Sequence, residues 1–357
     1  MSLPADRTVR EALRAGRKLL AGQQSLARGE TPELDAEVLL REVLGLTRSA
    51  LYTHPERRLT MEEQAHYCRL LGRRARGEPV AYLTGRREFM GLDFHVDARV
   101  LIPRPETELL VERALELLQP GPSKQFEVRR LKLPTDPSLR TSNLEPRTSN
   151  WPLSPEGGGG DGRRAAAPAT DVGRRGGLAG AVLVADVGTG SGAIAVSLAA
   201  LAGEGVGAGV RVYATDVSAG ALTVARANAA RLLGTKQARV AFVRCHLLDA
   251  VRGPLGLIVA NLPYIPTGEL ATLPPAVRQY EPWSALDGGP DGLDAYRALL
   301  QDASGKLLPG GALLMECDPR QAETLRGLAG AALPGAETAI HGDLAGRERI
   351  VEARTPM

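Results

Sequence analysis

At 357 residues, 43% hydrophobic and 24% charged, the chain has the composition of a soluble globular protein with length enough for two cores. Its formal net charge is +3; the stretch from Pro120 to Gly180 holds ten Lys/Arg against six Asp/Glu, so the remainder is close to −1, too neutral for a broad nucleic-acid footprint or a stable nucleic-acid partner. Cys68, Cys245 and Cys317 are too few and too scattered for a disulfide framework or a metal cluster, and no apolar run approaches the ~20 residues of a membrane span. A cytoplasmic protein without a metal is expected, since the N-terminus alternates charges and has no signal-type apolar core.

From Thr8 to about Arg76 the pattern is helical. Thr8 with Glu11 reads as a capping box ahead of Leu13, Leu19 and Leu20. Pro32 and Glu33 open a second helix with Leu34, Val38, Leu39 and Leu44 as apolar positions and Gly45 as its stop. Thr60 with Glu63 opens a third, through Tyr67, Leu70 and Leu71. Residues 1–78 are thus expected to form a small helical domain for substrate docking or packing. Residues 79–105 change to short β-like runs around glycines, as in a β-hairpin linker. Glu106 to Leu118 reads as a helix with a Leu/Val face.

Residues 120–180 are rich in Pro and Gly, contain GGGG at 157–160 and repeat RTSN at 140–143 and 147–150. With almost no periodic apolar pattern they cannot offset their ordering entropy, and a disordered insertion is expected there. Beyond it, AVLVADVG, VRVYATDV, RVAFVRC, GLIVAN and GALLMEC read as strands, with SGAIAVSLAALA and SAGALTVARANAARLL as helices between the first three. Strands alternating with helices predict an α/β fold, a doubly wound and mostly parallel Rossmann-like sheet across 106–354, with the helical bundle joined to it by the hairpin. Ligands of such sheets bind beyond the carboxyl ends of the strands.

Two of those ends carry chemistry. The loop DVGTGSG puts Gly188, Thr189, Gly190, Ser191 and Gly192 between strand and helix, where glycines let a ligand approach the backbone N–H groups. Dinucleotide binders share such loops, but this one lacks the GxGxxG spacing that admits a pyrophosphate. The tighter form behind an acid, Asp186, suits the carboxypropyl and ribose portions of S-adenosylmethionine. Asp216, at the end of the next strand, is placed to accept both ribose hydroxyls.

The second end is Asn261-Leu262-Pro263-Tyr264, a polar amide and a proline closing a wholly apolar strand. These four are the candidate catalytic and substrate-binding residues, and Asn261 adjoins the cofactor as well. An amide or exocyclic nitrogen is a poor nucleophile because its lone pair is delocalised. Two acceptors, the Asn261 side-chain oxygen and the Leu262 carbonyl, would hold its two N–H hydrogens and favour positive charge as it forms. Tyr264 would stack on the planar target.

With these motifs in place the chain resembles the bacterial glutamine-amide methyltransferases of peptide-chain release factors, the PrmC/HemK family. The resemblance covers most of 1–119 and 181–354, and is carried by PVAYLTGRREFMGLDFHVDARVLIPRPETELLVERAL, DVGTGSGAIA, ATDVSAGALTVARANA, NLPYIP, YEPWSALDGGPDGLDAYR and DLAGRERIV. It implies a class I methyltransferase that uses S-adenosylmethionine to methylate the glutamine of the GGQ loop in class-1 release factors, with the helical domain helping to hold the factor. The chain departs from the family at Leu262, where proline is usual, and at Cys245-His246, where an acid near the adenine is usual and Leu247 would pack near the base. The insertion at 120–180 replaces a short connection. Two other readings stay open: an rRNA adenine N6-methyltransferase, which uses the same two-acceptor geometry, and an inert cofactor-binding scaffold. Arg104 and Glu106 are candidates for the pocket mouth or for a structural salt bridge, and Glu281 and Asp287 for a loop over the substrate.

Overall fold

The computed structural model describes residues 7–22, 31–119, 181–202 and 209–357. All described residues fall in one compact unit. The disordered insertion expected at 120–180 lies outside them.

The N-terminal helices follow their caps. Thr8 and Glu11 close the expected box on α1 (Val9–Ala21), and Thr60 and Glu63 close the one on α4 (Met61–Arg74), each pair satisfying two end amides reciprocally. Between them α2 (Pro32–Leu44) starts on its proline and stops at Gly45, whose φ of 61° continues the chain in the left-handed region. A short α3 (Arg48–Thr53) follows, capped by Thr47. Val9, Leu13, Leu20, Ala36, Leu39, Leu40, Leu51, Tyr67, Leu70 and Leu71 form the core of this bundle. Leu34, expected on the apolar face of α2, is exposed, because that face runs through Ala36, Leu39 and Leu40.

The linker departs from its expected form. Val80–Thr84 is a helical turn, α5, rather than a strand, and its Val80 and Leu83 side chains join the bundle core while Ala81 and Tyr82 pack with Val100 and Val224. The hairpin is confined to β1 (Arg86–Phe89) and β2 (Leu92–His95), joined by Met90 and Gly91, both at positive φ, which suits the strand twist. Phe89 and Phe94 meet edge to face, 6.1 Å between centroids, and bury against the larger domain. The chain then enters α6 (Glu106–Leu118).

The remaining elements alternate as expected: β3 (Val182–Val187), α7 (Ala193–Leu201), β4 (Val210–Asp216), α8 (Ala219–Leu233), β5 (Val240–Arg244), β6 (Leu255–Ala260), a short α9 (Pro275–Arg278), α10 (Asp294–Ala303), β7 (Leu307–Glu316), α11 (Ala322–Ala332), β8 (Glu337–Gly342) and β9 (Glu348–Arg354). The sheet order is β5-β4-β3-β6-β7-β9-β8, parallel except for β9, which runs antiparallel to both neighbours. Alternate side chains enter opposite cores. Val184, Leu257, Val259, Ala312 and Leu314 pack with α6, α7 and α8; Ala185, Ile258, Ala260, Leu313 and Met315 pack with α10 and α11. Both faces are covered, and the sheet is doubly wound with its order reversing between β3 and β6. That reversal opens a crevice at the carboxyl ends of those two strands.

Candidate active site

The glycine loop lies at the end of β3. Gly188, Gly190 and Gly192 have φ of 74°, 54° and 82°, a region that side-chain-bearing residues rarely adopt. The end of β4 holds the loop: Gly188 and Thr189 both donate their N–H to the Thr215 carbonyl, at 3.0 and 2.8 Å. A Cβ on Gly192 would come within 3.1 Å of the Ala225 Cβ, so α8 packs directly beneath. Asn228 of α8, fully buried, donates to the Ser191 and His95 carbonyls and accepts from the His95 N–H. One side chain thereby ties the loop to the hairpin. A lone asparagine in an alanine-rich helix was the only sequence sign of it.

Two acids flank the loop. Asp186 is fully buried; its Oδ2 accepts from the Thr189 hydroxyl at 2.6 Å and the Ala195 N–H at 3.0 Å, while Oδ1 has no partner. Burial, together with the nearby Asp216 charge, pushes its carboxyl up to about 7. Asp216 accepts from the Gly190 N–H at 2.9 Å and the Ser218 N–H at 2.8 Å. Burial raises its pKa as well, against the pull of those amides. Thr189 and Ser191 are buried, and the Thr189 hydroxyl is taken up by Asp186. Leu247 is buried in the apolar cluster that includes Val187 and Ile258, at φ 39°, strained for a leucine.

Asn261-Leu262-Pro263-Tyr264 follows β6, adjacent and parallel to β3. The two motifs touch: a Cβ on Gly188 would lie 3.0 Å from Leu262 Cδ2 and 3.9 Å from the Asn261 carbonyl oxygen. Asn261 Nδ2 donates to Thr107 Oγ1 at 3.0 Å, which leaves its Oδ1 free to accept. Leu262 has an N–H that a proline would lack, and the Tyr296 hydroxyl accepts it at 3.2 Å while donating in turn to the Glu316 carbonyl. Tyr264 is half-buried, and burial keeps its phenol protonated by raising its pKa. The Gln321 amide donates to the Tyr264 carbonyl at 2.9 Å and to the Asp291 carbonyl at 2.9 Å.

The segment LDGGPDGL supports this motif from behind. Gly288 donates to the Ile265 carbonyl, and side chains on Gly288 or Gly292 would collide with the Pro263 and Tyr264 carbonyls at 2.6 and 2.2 Å. Asp287 spends its carboxylate on the Thr267 hydroxyl and the Gly289 N–H. Arg104 pairs with buried Glu281, which also accepts the Ile102 N–H, so the salt-bridge alternative holds for Arg104. The residues that sequence reasoning missed are Thr107, Asn228, Tyr296, Glu316 and Gln321. Thr107 lies inside the selective segment IPRPETELL, directly after Glu106, the second of the two residues singled out there.

Among the described residues no group of His, Cys, Asp and Glu is arranged to hold a metal ion, and no helix is long and apolar enough to cross a membrane.

The sequence model of a family described as "PrmC N-terminal domain" matches residues 11–85, which ends with α5 and leaves out the hairpin. A release factor glutamine methyltransferase of Bradyrhizobium diazoefficiens is 37% identical over 344 residues, 96% of this chain and 95% of its own. One of Moorella thermoacetica is 40% identical over 344 residues, 96% of each chain. One of Deinococcus radiodurans is 37% identical over 324 residues, 91% of each. With relatives this similar along nearly their whole length and the α/β sheet that the motifs predicted, the chain is a methyltransferase and belongs to the release factor glutamine methyltransferase family.

Proposed function

We infer that the protein transfers a methyl group from S-adenosylmethionine to the side-chain amide nitrogen of the glutamine in the GGQ motif of class-1 peptide-chain release factors. The observation that supports this most directly is the contact between the glycine loop and the Asn261 motif across the crevice of β3 and β6. A methyl donor held by one motif is thereby next to a nitrogen held by the other.

The residues at the loop suit that donor. The Cβ direction of Gly190 is open, with only the Gly188 carbonyl at 4.0 Å, so nothing stands between the loop and a ligand there. Asp216 uses one hydrogen bond on each oxygen and has further lone pairs for hydroxyls. Gly188, Thr189, Gly190, Ser191, Gly192, Asp216 and Asn261 would hold the molecule, whose chemical contribution is an electrophilic methyl group on a sulfonium sulfur.

The chain's own residues do the rest. Asn261 Oδ1 and the Leu262 carbonyl accept the two amide hydrogens of the glutamine and fix its nitrogen in place. As the nitrogen gains a fourth bond its hydrogens become more acidic, so both acceptors bind more tightly at the transition state than before it. Tyr264 covers the planar amide and excludes water. No strong base is needed, because a protonated N-methyl amide releases its proton readily. The helical domain, 1–78, is the proposed docking surface for the rest of the factor.

The test is transfer of labelled methyl groups to an unmodified release factor, beside its GGQ→GGA variant and bare rRNA. Label on the unmodified factor alone is the expected result. Label on rRNA would replace the glutamine reading with the adenine one, and bound cofactor without transfer to either would reduce the protein to a scaffold.

A further inference from the structure

The Asn261 amide is nearly symmetric in shape, yet the two-acceptor scheme works in only one of its orientations. Flipped by half a turn, it would present N–H groups to the N–H groups of the substrate. Something behind it has to choose. Among the described residues its hydrogen-bonding neighbour there is the Thr107 hydroxyl, 3.0 Å from Nδ2. A hydroxyl can donate or accept, so threonine by itself is indifferent to the flip.

Behind Thr107 lies Glu316, the last residue of β7. Glu316 is buried, and one of its carboxyl oxygens, Oε2, has no hydrogen-bond partner. The hydroxyls of Thr107 and Tyr264 lie close enough to its carboxyl to favour the charged form. An ionised carboxylate accepts and cannot donate. If it takes the Thr107 proton, only lone pairs remain on Oγ1 for Asn261, and Asn261 must turn Nδ2 inward and Oδ1 toward the crevice.

We propose that Thr107 and Glu316 are positioning residues that set the orientation of Asn261, the ionised carboxylate giving the hydrogen-bond chain its direction. The proposal rests on the role assigned above to Asn261. It also gives the IPRPETELL segment a task at the reacting centre that its charged residues do not perform. The chain spans three distant parts of the sequence: the first turn of α6, the end of β6 and the end of β7.

Protonation of Glu316 would reverse the chain. A neutral carboxyl can donate to Thr107, whose proton then turns toward Asn261 and favours the flipped amide. Burial pushes the Glu316 carboxyl up to about 7, so the reversal falls near neutrality. Its charged and titratable surroundings are Glu106, which raises it, Arg349, which lowers it, and Tyr264, Tyr296 and Cys317, all three held protonated by burial.

The experiment is a double-mutant cycle on the full chain, with kcat and KM for an unmodified release factor, cofactor affinity by calorimetry and the thermal midpoint measured for each variant. Thr107→Val is expected to lower kcat about 10- to 100-fold with little change in KM or cofactor affinity, and Thr107→Ser to recover most of that loss. In an Asn261→Ala background Thr107→Val should change nothing further, because its effect passes through Asn261. Glu316→Gln, of the same shape, should remove the fall in kcat below neutral pH. Wild-type kcat in Thr107→Val, or losses that add to those of Asn261→Ala, would overturn the proposal, as would a Thr107→Val loss matched by weakened cofactor binding. A wild-type rate in Asn261→Ala would be a separate failure, that of the function assigned to Asn261, and would take the proposal with it.

Discussion

Asp186 is a buried acid with one oxygen satisfied and the other bare. Its carboxyl, at about 7, lies above the ordinary 3.8 because burial opposes the charge. The folded state therefore holds a proton that the unfolded chain has released between about pH 4 and 7, so this residue costs stability as pH rises through that window. Asp186→Asn removes the titration and keeps an acceptor for Thr189 and Ala195. Its stability relative to wild type should rise from pH 5 to pH 8 by a few kcal/mol, on the order of the shift itself. Urea unfolding at the two pH values reads this directly; a constant gap would mean that the carboxyl is ionised throughout. The residue scale also marks what a sequence can disclose. Gly188 to Gly192 and Asn261 to Tyr264 each lie in one unbroken stretch, and their backbone demands are written in residue types. Thr107 meets Asn261 across 154 positions and Asn228 meets Ser191 across 37. Nothing local announces either pairing, because each depends on which strands become neighbours.

Elements were legible where their ends carry side-chain chemistry. Thr8–Glu11 and Thr60–Glu63 are boxes in the sequence and in the structure. Val80–Thr84 misled because five residues of mixed apolar and β-branched type fit a strand as well as a helical turn, and packing against the bundle decided between them. Strands β8 and β9 escaped notice because the last strand draws much of its stability from partners outside itself. Glu352 on β9 is one such link: it accepts from Arg113 of α6 and from Arg354, each at 2.8 Å. Burial works against its charge, and the two guanidiniums outweigh it, holding the carboxyl down at about 2 against an ordinary 4.5. The sign is opposite to that of Asp186. The stabilisation is complete above about pH 4.5 and disappears as pH falls toward 2. Glu352→Gln is expected to cost on the order of 3 kcal/mol at pH 6, and much less near pH 2.5. Equal losses at both values would show that packing, not charge, joins α6 to this edge.

At the scale of the molecule, the crevice between β3 and β6 explains why two motifs separated by the whole of α7, β4, α8, β5 and β6 form one site. The doubly wound sheet was legible from alternating strands and helices. The way its parts are fastened was not, since it depends on a segment that reads only as loop. Residues 267–287 follow the Asn261 motif and are gripped from two sides. The Tyr280 hydroxyl donates to the Arg76 carbonyl at 3.2 Å, just beyond α4. Glu281 accepts from Ile102 and pairs with Arg104 ahead of α6. The helical bundle, the hairpin connection and the reacting motif are thus joined through two consecutive side chains. Arg104→Ala leaves the Glu281 carboxylate buried with a single amide for company, at a cost of about 3 kcal/mol. Glu281→Gln is milder, because its amide oxygen can still accept the Ile102 N–H. The loosening should spread to the strand-like contact between Ile265 and Leu286–Gly288 that backs the motif. In Arg104→Ala, hydrogen exchange at Ile265 and Gly288 is therefore expected to quicken and methyl transfer to fall, while cofactor affinity stays near wild type. Unchanged exchange at those two amides would confine the Arg104–Glu281 pair to holding the domains together, with no hold on the site.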